Sequence, residues 1–363
     1  MSVSSIGNSD PLRILVTGGA GFIGSNLVRQ LLEETEHEVV NFDKLTYAGN
    51  VRSLEDVLDH PRHHFRRGDV CDAEELGAVF REYRPQAVVH LAAESHVDRS
   101  IDGPAVFLRT NVMGTGTLLQ VALEHWRALD AEEQKKFRFL HISSDEVYGS
   151  LETDAPGFSE SSPYAPRSPY SASKAAADHL VRAWGTTYGL PVLITNCSNN
   201  YGPWQFPEKL IPVVILKGLR GEPIPVYGNG ENVRDWLYVG DHCRALRVVL
   251  ERGKPGETYN IGGNEEHRNL DLVRGLCRIL DRLKPGPRPY ESLILFVEDR
   301  PGHDLRYAID SSKITRELGW AAGTAFPEGL ERTARWYLEH PDWWREILDG
   351  DYRMDRLGMA RLP

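Results

Sequence analysis

A short apolar segment that runs directly into a glycine-rich turn constrains the fold of this chain more than any other feature. Residues 12–17 have the length and composition of a buried strand, and Gly18, Gly21 and Gly24 follow it. A helix is predicted next, at residues 25–32. Glycines in such a turn let the backbone approach a pyrophosphate closely, and the helix points its N-terminal amides at that group. The pattern predicts a dinucleotide-binding strand, turn and helix.

Apolar segments and helical patterns alternate through the first half of the chain. Strands are predicted at residues 38–42, 65–70, 87–93, 139–142 and 190–195, and helices at residues 52–58, 73–82, 105–126 and 170–188. Such alternation is typical of a parallel sheet with helices on both faces. We therefore predict an α/β fold: a Rossmann-type doubly wound parallel sheet with a smaller, discontinuous C-terminal substrate-binding domain.

The domain boundaries are predicted from where this alternation starts and ends. Residues 1–10 are small and polar and are expected to form a disordered extension. Residues 11–196 are assigned to the dinucleotide-binding domain, with later segments near 234–263 rejoining it through a strand at 258–261. Residues 197–363 begin with a path rich in Pro, Gly and Asn, which suits a pocket beside the sheet, and are assigned mainly to substrate binding.

Composition argues against several classes of protein. The formal net charge of -10 disfavours a non-specific nucleic-acid binder. No apolar run approaches the roughly 20 residues that span a bilayer, so no membrane segment is expected. The four cysteines are scattered without metal-type spacing, which predicts free thiols in a reducing cytoplasm and no metal site. The histidine-rich segment 59–64 is interpreted as a solvated loop.

An acidic residue about twenty positions beyond the glycine turn indicates which dinucleotide binds. Asp43 ends the second predicted strand, where its carboxylate can accept both ribose hydroxyls of NAD and would repel the 2'-phosphate of NADP. Lys44 beside it weakens that discrimination. NAD is the expected cofactor.

Polar side chains follow the strand predicted at residues 139–142. Ser144, Asp145 and Glu146 emerge there, and Tyr170 and Lys174 share one face of the next predicted helix. A nearby ammonium favours the phenolate form of a tyrosine, so Tyr170 could accept a proton. Burial and mutual repulsion can leave one of two adjacent carboxylic acids protonated at neutral pH. The set therefore predicts acid and base chemistry at the end of a strand.

These motifs resemble those of the extended short-chain dehydrogenase/reductases and, more narrowly, those of the dTDP-glucose 4,6-dehydratases. The resemblance extends to residues 91–100, 199–203, 206–212, 225–228, 234–236, 269–270 and 299–304. Ser144 departs from the usual Thr of that family but keeps the hydroxyl. The resemblance implies a lyase that oxidises dTDP-glucose at C4, eliminates water across C5 and C6, and returns the hydride to C6. It implies that Tyr170, with Lys174 and Ser144, removes the C4 hydroxyl proton, that Glu146 is the C5 base and that Asp145 is the C6 acid.

The resemblance also implies which residues contact the ligands. NAD contacts are expected from Gly18, Gly21, Phe22, Ile23, Gly24, Asp43, Lys44, Thr46, Asp69, Val70, Leu91, Ala92, Ala93, Ser95, Thr110, Tyr170, Lys174 and Asn200. Contacts with the nucleotide sugar are expected from Ser95, Ser144, Asn199, Lys209, Leu210, Pro225, Tyr227, Arg234, Asn269, Arg300 and His303. Of these, Arg234 and Arg300 could fork onto diphosphate oxygens.

The resemblance also bears on assembly, and two alternative functions stay open. Members of this family commonly dimerise through helices that correspond here to residues 105–126 and 171–188, so a homodimer is expected. A dehydratase or epimerase of another nucleotide sugar is the first alternative. The second is an NAD-binding sensor or scaffold, which would need the glycine turn but not the intact catalytic set.

Overall fold

The computed structural model describes residues 10–299, 302–350, 352 and 354. The predicted N-terminal extension, apart from Asp10, therefore lies outside the described residues, and so does Arg300. No helix in the described part of the chain is long and apolar enough to cross a membrane.

Twelve strands are present among the described residues, and seven of them form one parallel sheet with the order β3-β2-β1-β4-β5-β6-β10. The strands are β1 (Arg13–Thr17), β2 (Glu38–Asp43), β3 (His63–Arg67), β4 (Ala87–His90), β5 (Arg138–Ser144), β6 (Val192–Cys197), β7 (Asn199–Tyr201), β8 (Ile224–Tyr227), β9 (Val233–Tyr238), β10 (Thr258–Ile261), β11 (Glu266–Arg268) and β12 (Ile294–Val297). The order changes direction between β1 and β4, which is where sheets of this kind bind ligands.

Thirteen α-helices surround these strands in the described part of the chain. They are α1 (Phe22–Glu34), α2 (Ala73–Tyr83), α3 (Val97–Asp102), α4 (Pro104–Phe107), α5 (Thr115–Ala128), α6 (Ala131–Lys136), α7 (Pro169–Tyr188), α8 (Leu210–Leu219), α9 (Val239–Arg252), α10 (Asn269–Leu283), α11 (Ser312–Leu318), α12 (Phe326–Glu339) and α13 (Pro341–Asp349). Short 3-10 turns lie at Val51–Leu54, Asp145–Tyr148 and Tyr290–Leu293.

The large sheet is covered by helices on both faces, which confirms the predicted Rossmann-type fold. Successive strand residues point to opposite faces. Ile14 and Val16 of β1 accordingly pack with α1 and α9, whereas Leu15 packs with α2, α5 and α7. All three side chains are fully buried. Burial on both faces explains why these strands are continuous apolar runs in the sequence.

A second hydrophobic core lies beside the large sheet. It joins α8, α10, α12 and α13 to β8 and β9. Two small sheets, β11-β9-β7 and β12-β8, belong to this part of the chain. Trp343 and Trp344 are buried in this core.

Five local predictions are wrong. The fourth strand ends at His90 and does not continue to residue 93. Residues 52–58 form no α-helix, because the helical hydrogen bonding is confined to the 3-10 turn Val51–Leu54. The third strand ends at Arg67 and does not continue to residue 70. The histidine-rich segment is not entirely a solvated loop, since His63 is buried and begins β3. The helix predicted at 105–126 is divided into α4 and α5 by a π-helical segment, Leu108–Gly114.

Candidate active site

A cavity of about 450 Å³ lies beyond the carboxyl ends of the central strands. Its lining contains all five predicted catalytic residues and all the predicted cofactor contacts. It also contains every predicted substrate contact except Arg300, which lies outside the described residues. The fold therefore brings together residues as far apart in the sequence as Gly18 and His303, while their individual ligand contacts stay predictions.

The glycine turn leaves no room for side chains. Gly18 has a φ of +75°, and a Cβ atom on it would lie 2.6 Å from the backbone nitrogen of Ala92. A Cβ atom on Gly24 would lie 2.2 Å from the carbonyl oxygen of Gly18. Gly21 is the N-cap residue of α1, and no side chain there forms a hydrogen bond with the first amides of the helix. This geometry fits a pyrophosphate at the start of the helix.

Asp43 connects the end of β2 to the glycine turn. Its carboxylate accepts the backbone N–H of Ala20 (2.9 Å) and that of Leu45 (2.8 Å), and the side chain is buried. Burial raises the pKa of Asp43, while these two hydrogen bonds oppose the effect. The Lys44 ammonium lies 2.7 Å from a carboxylate oxygen of Asp69. Lys44 is thus paired with Asp69, which reduces its ability to offset the repulsion of a 2'-phosphate by Asp43.

A series of hydrogen bonds holds the backbone at the end of β4 in place. The Ala92 N–H donates to the Thr17 hydroxyl (3.3 Å), which lies 2.7 Å from Nδ1 of His90. Nε2 of His90 lies 2.9 Å from the Thr115 hydroxyl, which donates to the Asn111 carbonyl (2.6 Å). Because Thr115 donates to Asn111, it accepts from Nε2, so Nδ1 accepts from Thr17. Burial lowers the pKa of His90 well below its usual value, so the ring stays neutral.

Asn111 does not line the cavity but connects two segments that do, and the sequence interpretation missed it. It lies in the π-helical segment, and its side chain bonds both backbone groups of Glu94 (2.8 and 3.0 Å) and the Ser173 hydroxyl (2.8 Å). It thereby ties the loop after β4 to helix α7. An asparagine in the middle of a helical pattern is unfavourable for that helix and was the available signal.

The strand end at Ser144 supplies the two carboxylic acids. The Ser144 hydroxyl caps the 3-10 turn by accepting the Glu146 N–H (3.2 Å), and it lies 3.4 Å from Oδ1 of Asp145. Asp145 is buried, whereas Glu146 is only partly buried. Burial raises the pKa of Asp145 well above its usual value, and the charges of Glu146 and Asp235 add to this. These effects favour the protonated form of Asp145, which is the form that the acid of an acid and base pair needs.

Helix α7 places Tyr170 and Lys174 in the same cavity. Burial raises the pKa of Tyr170 well above its usual value, Glu146 adds to this, and the hydrogen bond with Ser144 acts in the opposite direction. Burial lowers the pKa of Lys174 to about 8. Burial thus favours the neutral phenol in this structure, and the role of Tyr170 as a proton acceptor stays a prediction.

Side chains of the second core line the far end of the cavity. The guanidinium of Arg234 donates to the carbonyls of Val233 (2.7 Å) and Asp304 (2.9 Å) and lies 4.3 Å from the ring centroid of Tyr307. These contacts hold the Arg234 side chain in place at the wall of the cavity. Oδ1 of Asn269 is buried in the lining and has no hydrogen-bond partner among the described residues, which fits an acceptor for a polar ligand.

Two residues that were predicted to contact ligands form polar contacts within the protein. The Asn200 side chain bonds the Ser198 carbonyl (3.0 Å) and lies 2.9 Å from Nδ1 of His242. Nδ1 of His303 lies 2.6 Å from a carboxylate oxygen of Asp299. Both residues line the cavity, but these contacts limit how their side chains can face a ligand.

A cluster around Glu208 joins the two sides of the cavity. Its carboxylate lies 3.0 Å from the Arg99 guanidinium and accepts the Tyr47 hydroxyl (3.1 Å). The Lys209 ammonium donates to the Ser95 carbonyl (2.9 Å) close by. Arg99 and Glu208 are 109 residues apart, so no local pattern could have predicted this pairing.

No group of three or more His, Cys, Asp or Glu side chains is placed to hold a metal ion within residues 10–299 and 302–350. The four cysteines are free thiols. The glycine turn, the helix start and Asp43 instead fit a dinucleotide.

Comparison with known proteins decides the family. The sequence model of the GDP-mannose 4,6 dehydratase family matches residues 15–333. The dTDP-glucose 4,6-dehydratase of Neisseria meningitidis serogroup B is 56% identical over 353 residues, which are 96% of this chain and 99% of that protein. The chain belongs to the dTDP-glucose 4,6-dehydratase family. The resemblance inferred from the motifs is confirmed.

Solved structures of the family and of a neighbouring enzyme class share the fold. The dTDP-glucose 4,6-dehydratase of Streptomyces venezuelae, solved with NAD and dTDP, is 48% identical with a TM-score of 0.84, and the match covers 93% of this chain and 100% of that one. The UDP-glucose 4-epimerase of Thermotoga maritima is 29% identical with a TM-score of 0.79, covering 90% and 99% of the two chains. The fold alone therefore does not separate the dehydratases from the epimerases.

Proposed function

We propose that this chain is a dTDP-glucose 4,6-dehydratase, a hydro-lyase that converts dTDP-glucose to dTDP-4-keto-6-deoxyglucose and water. The observation that carries the proposal is the pair Asp145 and Glu146, with different burial, at the same cavity as Tyr170 and Lys174. Removal of water across C5 and C6 requires one group to accept a proton and another to donate one. Membership of the family supports the choice of dTDP-glucose.

The cofactor is NAD, held by the glycine turn, the start of α1 and Asp43. When bound, NAD+ supplies the acceptor and later donor of one hydride, and a positive charge that favours the Tyr170 phenolate. The small residues at the end of β4 let the backbone contact a flat ring closely, and the Asn111 and Thr17 hydrogen bonds keep that backbone in place. Retention of one cofactor through the whole reaction follows from hydride return.

Each side chain at the strand end has one task. Tyr170, bonded to Ser144 and supported by the Lys174 ammonium, accepts the proton of the C4 hydroxyl. The 4-ketone makes the C5 proton acidic, and Glu146 removes it. Asp145, which carries a proton because of its burial, donates that proton to the leaving C6 hydroxyl.

An epimerase that acts on a nucleotide sugar is the second candidate, because it shares the fold and uses the same Tyr and Lys. It does not need a protonated carboxylic acid beside a second carboxylate, and the buried Asp145 therefore favours the dehydratase. Incubation with dTDP-glucose, UDP-glucose and GDP-mannose in parallel, followed by mass spectrometry, separates the two. The proposal predicts loss of one water from dTDP-glucose in preference to the other two. An unchanged mass with a change of sugar configuration would support the epimerase instead.

We propose further that residues 11–196, with segments near 234–263, bind NAD and that residues 197–363 mainly bind the nucleotide sugar. The position of β10 in the large sheet and the separate second core support this division. Four free thiols support a reducing compartment, the cytoplasm.

The proposed assembly is a homodimer. Val106, Leu108 and Met113 are exposed on the segment from α4 to α5, and Tyr188 is exposed at the end of α7, so both predicted interface helices present apolar surface. Light scattering of the purified protein tests the proposal. A mass of two chains is expected, and a single-chain mass at micromolar concentration would contradict it.

A further inference from the structure

A buried acidic residue beneath the catalytic pair has no direct task in the proposed reaction. Asp178 follows Lys174 by four residues on α7, so the two side chains share one face of the helix. Asp178 is fully buried and Lys174 is only 5% exposed. A buried carboxylate is costly unless charged or hydrogen-bonding groups compensate it.

Three polar side chains meet the Asp178 carboxylate. Oδ2 accepts the hydroxyls of Ser143 (2.9 Å) and Tyr164 (2.8 Å). Oδ1 lies 3.2 Å from Nε2 of His141. Burial, followed by the charge of Lys174, lowers the pKa of His141 to about 4, so this imidazole is neutral in the physiological range and does not balance the carboxylate.

The same carboxylate joins α7 to the last residues of β5. The Lys174 ammonium donates to the Ile142 carbonyl (2.7 Å), and one turn further along the helix Asp178 accepts from Ser143. The next residue of the strand is Ser144. Two polar contacts therefore set the position of the helix that carries Tyr170 against the strand end that carries the acid and the base.

Lys174 and Asp178 are opposite charges in a region that excludes water. Asp178 acts on Lys174 against the effect of burial, and it is the largest of the effects that favour the ammonium form. Other titratable groups surround Lys174 and Asp178. They are Tyr170 and Arg182 on α7, His141 on β5, Asp145 and Tyr148 in the turn after it, His90 on β4, Cys197 on β6 and Tyr164. The pair is thus enclosed by groups that are mostly neutral.

We propose that Asp178 is a positioning residue of the active site, which supplies the counter-charge of Lys174 and ties α7 to the end of β5. Its effect on catalysis rests on the proposed function, since it acts through Lys174 and Tyr170. Its effect on Lys174 itself does not depend on any substrate. The two can therefore be measured separately.

Asp178→Asn removes the charge while keeping an oxygen that can accept from Ser143 and Tyr164. The titration of Lys174 is followed by NMR in protein labelled with carbon-13 and nitrogen-15 lysine, and the signal is assigned with Lys174→Arg. The midpoint is expected to fall by about one pH unit or more relative to the wild type, because an opposite charge is lost in a water-excluded site. The alkaline limb of the kcat/KM profile for dTDP-glucose is expected to move to lower pH by the same amount.

Two variants distinguish charge from structure. Ser143→Ala removes one hydrogen bond but leaves the charge, so it should lower the rate by the same factor at every pH. Asp241→Asn neutralises another buried carboxylate, one that accepts the Thr324 N–H (2.8 Å) on a different helix, and should leave the Lys174 midpoint unchanged. Asp178→Ser is a second neutral variant if Asp178→Asn does not fold, as judged by circular dichroism.

An unchanged Lys174 midpoint in a folded, neutral Asp178 variant would overturn the proposal. So would an activity loss of equal size at every pH, because it would mean that Asp178 has only a structural role. A wild-type protein that does not turn over dTDP-glucose at any pH would contradict the proposed function alone. The Lys174 titration would still decide the role of Asp178 in that case.

Discussion

Asp145 and Glu146 are neighbours in the sequence but lie in different surroundings. Asp145 is 1% exposed and faces Glu146 and Asp235, so its pKa is raised first by burial and then by their charges. Glu146 is only partly buried and is the second residue of the 3-10 turn that Asp145 begins. A single strand end therefore places two carboxyl groups with different surroundings at the same cavity.

Replacement of Glu146 by Gln should separate oxidation at C4 from the loss of water. The amide cannot remove the C5 proton, so dehydration is expected to slow by about 100-fold or more. Oxidation at C4 continues, because Tyr170 and Lys174 are unchanged, and absorbance at 340 nm should rise without a dehydrated product in the mass spectrum. Glu152→Gln, on the exposed loop that follows, should behave as the wild type. Full dehydration by the Glu146 variant would remove Glu146 from the role of base.

The sequence predicts the members of the catalytic set better than their protonation. Ser144, Asp145 and Glu146 are consecutive at a strand end, so their proximity follows from the chain itself. The state of Tyr170 does not, because it depends on how deeply the fold buries the phenol. The pairing of Arg99 with Glu208 also could not be predicted from the sequence, since it joins segments that only the folded chain brings together.

At the level of elements, the turn between β1 and α1 depends on close approach of two backbone segments. Gly24→Ala places a methyl group where the Gly18 carbonyl already lies, at 2.2 Å, so the turn must open. NAD retained by the purified protein should fall severalfold, as measured by release and chromatography. Gly275→Ala is the matched control, since Gly275 also lies in a helix and a Cβ there meets no atom within 4 Å. It should keep NAD and be neutral or more stable by about 1 kcal/mol. Equal NAD content in the two variants would contradict this account of the turn.

Elements with a long periodic pattern were predictable, whereas local departures from regular geometry were not. The helix predicted at 73–82 matches α2 to within one residue, because its apolar spacing is regular. The helix predicted at 105–126 is interrupted by Leu108–Gly114, because Asn111 there bonds the loop after β4 and α7. Those are tertiary contacts, and the spacing of apolar residues in the sequence does not predict them.

At the level of the whole molecule, the chain returns to its first sheet after building much of the second core. The return was predictable at β10, which is a short apolar run. The small sheet β11-β9-β7 was not, because β7 and β11 have three residues each and are too short for a periodic pattern. Their pairing with β9 is fixed by the fold around them.

Buried neutral histidines should make the free energy of unfolding sensitive to acid. His242 is buried, and burial lowers its pKa to about 3. Between pH 7 and pH 5 the unfolded chain protonates this ring, near pH 6.5, but the folded chain does not, so stability falls as the pH falls. From pH 7 to pH 5 the wild type should lose about 2 kcal/mol more than His242→Gln.

Urea unfolding at the two pH values measures this difference. The exposed His179 on α7 supplies the control, because His179→Gln changes a histidine that remains accessible to water in the folded chain. It should lose about as much stability as the wild type over the same interval. Identical losses in the wild type and His242→Gln would contradict the buried, neutral state of His242.

The central claim is that one bound cofactor takes a hydride from C4 and returns it to C6 while water leaves across C5 and C6. Mass spectrometry of the product formed from dTDP-glucose in deuterated water, without added NAD+, tests it most directly. The account predicts loss of one water together with uptake of one deuterium, at C5. A dehydrated product without deuterium would contradict the proton step at C5, and unchanged dTDP-glucose even after addition of NAD+ would contradict the proposed substrate.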